Sequence, residues 1–269
     1  MKQPIRIEEL SLLGYVSKAF RRHLNFRRVV GLYRRRLSRK IFAKCGGIVQ
    51  YGPFAGMQWL DNPRWGRSEQ GVMILGLYEQ EVLENLAGAP AHFRVFVDVG
   101  AADGYYAVGL LHSGKVDRSV AFESIPECRT AISRLADKNG VLDKITILGT
   151  ASDRFVDTLR THKINSHETM FLIDIEGAEF KVLTEEVFAF LKDSMIIVET
   201  HAHIYADPQG EMERLVERAS LTHRVTTWYP GARNPWTIKE LEEFTEIDRW
   251  ILCSEGRVEV QQWLRFDPL

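Results

Sequence analysis

An α/β fold built on a doubly wound, mostly parallel seven-stranded sheet is predicted by three observations. From about residue 93, short apolar runs alternate with segments of helical length. The first run ends in a glycine-bearing turn that opens a helix, and residues 1–40, at the amino end, are strongly basic and patterned as a helix. Short strand-like runs separated by helices imply βαβ units, and a parallel sheet of that kind is covered on both faces.

Residues 1–45 read as a basic amphipathic helical extension. Residues 1–40 hold twelve Lys/Arg against Glu8 and Glu9, a local charge of +10 that the net charge of −1 conceals. Phe26, Val30, Tyr33, Leu37 and Ile41 recur at spacings of three and four, along one helical face, with Asn25 as the expected N-cap. Such a helix can dock on its own acidic domain or lie on an anionic membrane surface through residues 18–43. A nucleic-acid partner is disfavoured for want of an RNA or zinc-finger motif.

Residues 46–92 read as a cap or connector, rich in glycine and aromatics and then helical over MILGLYEQEVLENLAG. Leu75, Val82 and Leu83 are its inward candidates. Residues 93–269 form the main domain. Its strand-like runs are FRVFVDVG, VDRSVAFE, KITILGTA, MFLIDIEG and SMIIVETH, followed by HRVTTWYP and RWILCSE.

Composition narrows the setting. With 45% apolar and 26% charged residues, the 269-residue chain fits a globular protein with one large core. Three cysteines without a CxxC pair point to a reducing compartment. An N-terminus without an apolar signal region, and no apolar run near the roughly 18 residues of a membrane span, predict a cytoplasmic protein, peripheral to the membrane if the basic helix binds there.

The turn after the first strand carries the functional signal. In an open parallel sheet, ligands bind outside the carboxyl ends of the strands, beside the point where strand order reverses. Gly100 and Gly104 fall in that turn, but Ala102 replaces the second glycine of a GxGxxG dinucleotide fingerprint. Asp98 and Asp103 flank the loop, repelling a pyrophosphate and favouring a cationic ligand. Glu123, ending the second strand, can accept hydrogen bonds from both hydroxyls of a ribose. A nucleoside bearing positive charge and no phosphates satisfies all three features, which identifies S-adenosylmethionine as the expected cofactor. A nicotinamide-dependent oxidoreductase is disfavoured by the same residues. A non-catalytic, membrane-associated scaffold has no need of Asp98, Glu123 and Asp174 together.

FLIDIEGAEFKVL (171–183) resembles the D-x-E-G-x-E signature of FkbM-like methyltransferases, and IIVETH (196–201) the strand that follows it. YGPFAGM (51–57) and GLYEQEV (76–82) resemble segments upstream of that family's cofactor loop. The resemblance spans roughly residues 50–255. It implies a Rossmann-like class I methyltransferase fold transferring the methyl of S-adenosylmethionine, commonly to a hydroxyl of a sugar, glycan or other small metabolite. By position it implies that Asp98, Gly100, Ala101 and Gly104 line the methionine end of the cofactor and that Glu123 holds the ribose. Ser124 and Ile125 would border the adenine, Ser152 and Asp153 would meet its amino group, and Asp174 would face the methyl.

Methyl transfer to an alcohol needs a base to remove the hydroxyl proton. Asp174 and Glu176 alternate around Ile175, as Glu199, His201 and His203 do on the next strand, so the two sets can converge over the cofactor. Two mechanisms compete. In one, His201 is the base, oriented by Asp174 or Glu199. In the other, Asp174, Glu176, Glu199 and His201 supply ligands to a divalent metal, without a diagnostic spacing. His203 is expected in an exposed loop, and Glu179 at a helix start favouring its dipole. WYPGARNPW (228–236) is expected to roof the acceptor pocket, with Trp228, Tyr229 and Trp236 against a sugar ring, and MQWLDNPRWG (57–66) to close the opposite side.

Overall fold

The computed structural model describes residues 12–152, 154–257 and 261–269, with side chains from residue 28 onward. Among them, seven strands form one sheet: β1 (Val95–Val99), β2 (Arg118–Phe122), β3 (Ile145–Leu148), β4 (Thr169–Ile173), β5 (Met195–Thr200), β6 (His223–Trp228) and β7 (Gln262–Pro268). Their order is β3-β2-β1-β4-β5-β7-β6, with β1 to β5 parallel and β7 antiparallel between β5 and β6. The order reverses between β1 and β4. This doubly wound sheet, with its inserted antiparallel strand, is that of a Rossmann-like class I methyltransferase fold.

The helices in chain order are α1 (Leu12–Lys44), α2 (Gln70–Ile74), α3 (Gln80–Ala87), α4 (Tyr105–His112), α5 (Pro126–Lys138), α6 (Phe155–Thr161), α7 (Glu179–Val182), α8 (Glu185–Phe190), α9 (Pro208–Ser220) and α10 (Glu246–Cys253). Period-two burial distributes the strand residues between two cores. Phe96, Ala121, Leu172 and Ile197 pack with Val108, Leu111, Ile132 and Leu135 of α4 and α5. Val97, Val120, Phe171 and Ile196 pack on the other face with Phe155, Leu159, Phe188 and Leu215. A third cluster joins Leu37 and Ile41 of α1 to Val72, Leu75, Leu241, Phe244 and Leu252. Burial of each such aliphatic side chain contributes about 1.5–3 kcal/mol, which holds the carboxyl half of α1 on the body.

Three local expectations are corrected. The helix begins by Leu12 and runs through Asn25, which is therefore not its N-cap. The helix expected across MILGLYEQEVLENLAG is two, because Gly76 turns the chain at φ +71° against Tyr51, whose carbonyl oxygen would lie 1.9 Å from a Cβ at that position. RWILC of the expected strand RWILCSE falls in α10 instead, with Ser254 and Glu255 just beyond it. Its apolar run fits either state, but the Thr245 hydroxyl accepts from the Asp248 amide at 3.3 Å, and Glu246 and Asp248 favour the amino end of a helix. The seventh strand is instead QWLRFDP, which buries Trp263, Leu264 and Phe266. Among the described residues no helix is long and apolar enough to cross a membrane.

Candidate active site

At the carboxyl ends of β1, β2 and β4 lies a cavity of about 320 Å³. The β1–α4 turn makes its floor. Gly100, at φ +95°, passes so close to β4 that a Cβ would fall 1.7 Å from the Asp174 carbonyl oxygen, and Gly104 enters α4 from the left-handed region. The Glu123 carboxylate, at the end of β2, accepts the Ala102 amide at 2.8 Å and the Ile125 amide at 2.7 Å. It fastens the turn to the neighbouring strand.

The cavity is acidic, and its acids are incompletely paired. Asp98 is 2% exposed and its Oδ2 has no partner. Burial, with the charge of Glu123 adding and the Ala107 amide opposing, pushes its pKa up to about 8. Asp103 Oδ2 accepts the Trp65 amide at 2.7 Å while Oδ1 has no partner, and burial raises this carboxyl too. Asp174 Oδ1 is a third orphan. Burial and the neighbouring Glu199, Glu79 and Glu176 hold Asp174 well above the ordinary carboxylate range. Buried polar atoms are ordinarily hydrogen-bonded, so three unpaired carboxylate oxygens around one cavity mark a site shaped for a ligand.

Behind Asp174 stands His201, whose side chain is 7% exposed. Its Nδ1 lies 3.3 Å from Oε1 of the fully buried Glu179, which also accepts the His201 amide at 2.7 Å. Glu179 Oε2 accepts the Gly177 amide at 2.8 Å, so this carboxylate clamps the β4 loop to the end of β5. The other ring nitrogen, Nε2, faces Asp174 Oδ1 at 3.8 Å and Glu176 Oε2 at 3.6 Å, beyond hydrogen-bond length. Burial pulls the imidazole pKa down, but Glu179, Glu199 and Glu176 outweigh it, and the net shift is upward.

A second buried cluster, without counterpart among the sequence expectations, adjoins the site. Glu79, left-handed at φ 44°, lines the cavity, accepts from the Tyr106 hydroxyl and pairs with Arg257. Arg257 also reaches Glu199 at 2.5 Å and Glu255 at 2.8 Å. Burial and the charge of Glu199 raise the Glu79 carboxyl, with Arg257 and Tyr106 acting against them. Glu79 and Arg257 lie 178 residues apart with no local motif, and nothing in YEQEVLEN sets Glu79 apart from Glu81 and Glu84.

Of the residues expected at the site, Asp98, Gly100, Ala101, Glu123, Ser124, Ile125, Asp174 and Glu176 line the cavity. Gly104 packs toward Ile132 instead, and Glu199 lies with His201 behind the wall, held by Arg257. Thr150 and Ala151 reach the cavity where Ser152 does not, and Asp153 lies outside the described residues. Trp59 and Trp65 of the 57–66 segment form one wall. The 228–236 segment does not reach it: Trp228 stacks on Trp263, Tyr229 is exposed, and Trp236 lies beneath Arg249. His203 sits exposed in a short turn, its ring 6.0 Å from that of His201.

No family model and no curated protein matches the chain. Similar solved structures include an O-methyltransferase from Bacillus cereus with S-adenosylhomocysteine, 15% identical, covering 74% of this chain and 80% of that one at a TM-score of 0.45. Another is Sp1610 from Streptococcus pneumoniae with S-adenosylmethionine, 12% identical, covering 70% of this chain and 72% of that one at a TM-score of 0.44. The expected membership of the FkbM-like family is corrected. No family model supports it, and the strand order is that of the general class I methyltransferase sheet. The DIEGAE stretch has a local physical origin: Gly177 turns at φ +101°, and Glu179 ties the Gly177 and His201 amides together. A strand end needing that clamp can acquire the same short pattern without shared descent.

Proposed function

We propose that this protein transfers the methyl group of S-adenosylmethionine to a hydroxyl of a sugar, glycan or other small metabolite. The observation that carries the reading is the carboxyl-lined cavity at the strand-order reversal, with unpaired buried oxygens on Asp98, Asp103 and Asp174. Those oxygens fit a ligand bearing cationic and hydroxyl groups, and Glu123 fits a ribose. When bound, S-adenosylmethionine supplies a methyl activated by its sulfonium.

The protein's own part is to hold, orient and deprotonate. Asp98 and the Gly100–Ala101 backbone take the amino-acid end, Glu123 the ribose, and Ser124 and Ile125 the adenine border. Trp59 and Trp65 exclude water from one side. Asp174 meets the acceptor hydroxyl at the wall, and His201 behind it holds the released proton, favoured by the carboxylates that raise its pKa. Glu179 is the positioning residue that fixes the imidazole.

Calorimetric titration tests the reading. S-adenosylmethionine and S-adenosylhomocysteine are expected to bind and NAD not to. A folded protein that binds neither adenosyl compound would overturn it.

A specific observation favours a second mechanism for proton removal. One ligand atom from each of Asp174, Glu176 and His201 lies within 4.8 Å of the others, and a carboxylate behind Nδ1 is the usual support of a metal-bound histidine. Glu199 is occupied by Arg257 and stands outside this group. Exhaustive dialysis against a chelator separates the two mechanisms. Turnover kept within about twofold supports the protein base, whereas a loss of about 10²-fold or more, restored by Mg²⁺ or Mn²⁺, supports the metal.

A further inference from the structure

The carboxyl half of α1 has two working faces. Its inner face is docked through buried Leu37 and Ile41. Arg34 adds an ion pair to Glu69 at 3.2 Å and a hydrogen bond to the Glu255 carbonyl at 2.8 Å, and the Ser38 hydroxyl donates to the Ser68 carbonyl at 2.8 Å. Self-docking therefore accounts for that face and, among the described residues, leaves the other free. Residues 28–44 contain seven Lys/Arg and no acid, and Arg28, Arg36, Arg39 and Lys40 are exposed. Among these cations stand two aliphatic side chains turned to solvent, Val29 at 63% and Leu32 at 68% exposure.

The same edge continues onto α10. The Tyr33 hydroxyl donates to Asp248 at 2.8 Å, and α10 exposes Ile247 and Trp250. Beside it, the exposed Trp236 lies under Arg249 at 4.7 Å. Single exposed apolar residues need no explanation, but aliphatic tips, indoles and guanidinium groups on adjoining helices are the chemistry of a bilayer interface.

We infer that the outer face of α1, continued by α10, docks the protein on an anionic membrane surface. Each cation near such a surface strengthens the attraction, and the aliphatic tips gain by entering the acyl boundary. A nucleic acid would meet the cations but give Val29, Leu32 and Ile247 nothing apolar to enter. A second copy related by a two-fold axis would set this face against its own positive charge. The inference is independent of the methyl-transfer reading, although together they would bring a lipid-linked acceptor to the enzyme.

Co-sedimentation of the full chain with vesicles tests it. Phosphatidylcholine vesicles containing about a third phosphatidylglycerol should pellet the protein at low salt, and neutral vesicles should not. Raising salt about tenfold should release most of it. The double substitution Val29→Asp/Leu32→Asp should weaken binding by about 30-fold or more, and Arg36→Gln/Arg39→Gln by about 10-fold, both with unchanged thermal midpoints. Absence of pelleting with anionic vesicles would overturn the inference. So would binding indifferent to both double substitutions, dimerisation through this face, or an RNA homopolymer bound in place of vesicles.

Discussion

Replacing His201 with alanine is expected to lower turnover by about 10²–10⁴-fold while changing S-adenosylmethionine affinity by less than about threefold. The separation follows from position. His201 does not line the cavity and reaches it only through Asp174, 3.8 Å from its Nε2, so its removal takes away a proton holder and no wall of the cofactor site. Glu179→Gln should fall between wild type and His201→Ala, because it loosens the ring without deleting it. Measuring the dissociation constant calorimetrically beside single-turnover rates checks both. If His201→Ala abolished cofactor binding and left residual chemistry at the wild-type rate, the proton-holding role would be wrong.

How much of this site could be read from the sequence depends on how far each contact reaches. Asp98, Gly100 and Glu123 were legible because a parallel sheet sets the ends of neighbouring strands side by side, and β1 pairs directly with β2. Asp174 and His201 were legible for the same reason, through β4 and β5. The 228–236 segment was misjudged because aromatic content does not encode lateral position. It follows β6, which the antiparallel β7 displaces to the sheet edge, three strand spacings or about 14 Å from β4. The same insertion explains the misread seventh strand: a short apolar run near the carboxyl terminus fits a helix or a strand, and only the capping hydroxyl of Thr245 decides. Glu79 and Arg257 were invisible because their pairing depends on the docking of α3 and the approach to β7, long-range events without a periodic signature.

Asp98→Asn should separate stability from function in opposite directions. In the folded protein the Asp98 carboxyl titrates at about 8, pushed up by burial, whereas in the unfolded chain it titrates near 3.9. Between those values the folded state holds a proton that the unfolded state lacks, so stability falls as pH rises through the window. Above about pH 8 both states are ionised and the burial cost is fully expressed. Asparagine, nearly isosteric and never charged, avoids that cost. Without ligand, the variant should therefore match wild type only below about pH 4 and overtake it progressively through the window. Near pH 8.5, where the difference between the two values corresponds to a gain on the order of 5 kcal/mol, it should melt more than about ten degrees higher. Cofactor affinity should move the other way and fall about 100-fold, because a cationic ligand has lost the charge that compensated its transfer from water. Ligand binding would also ionise Asp98, so wild type near pH 7 should release close to one proton per adenosyl cation bound. Calorimetry in two buffers of different ionisation enthalpy reads that proton directly. A variant that binds as tightly as wild type, with the proton release intact, would remove Asp98 from the cofactor site and leave its unpaired oxygen without a ligand to explain it.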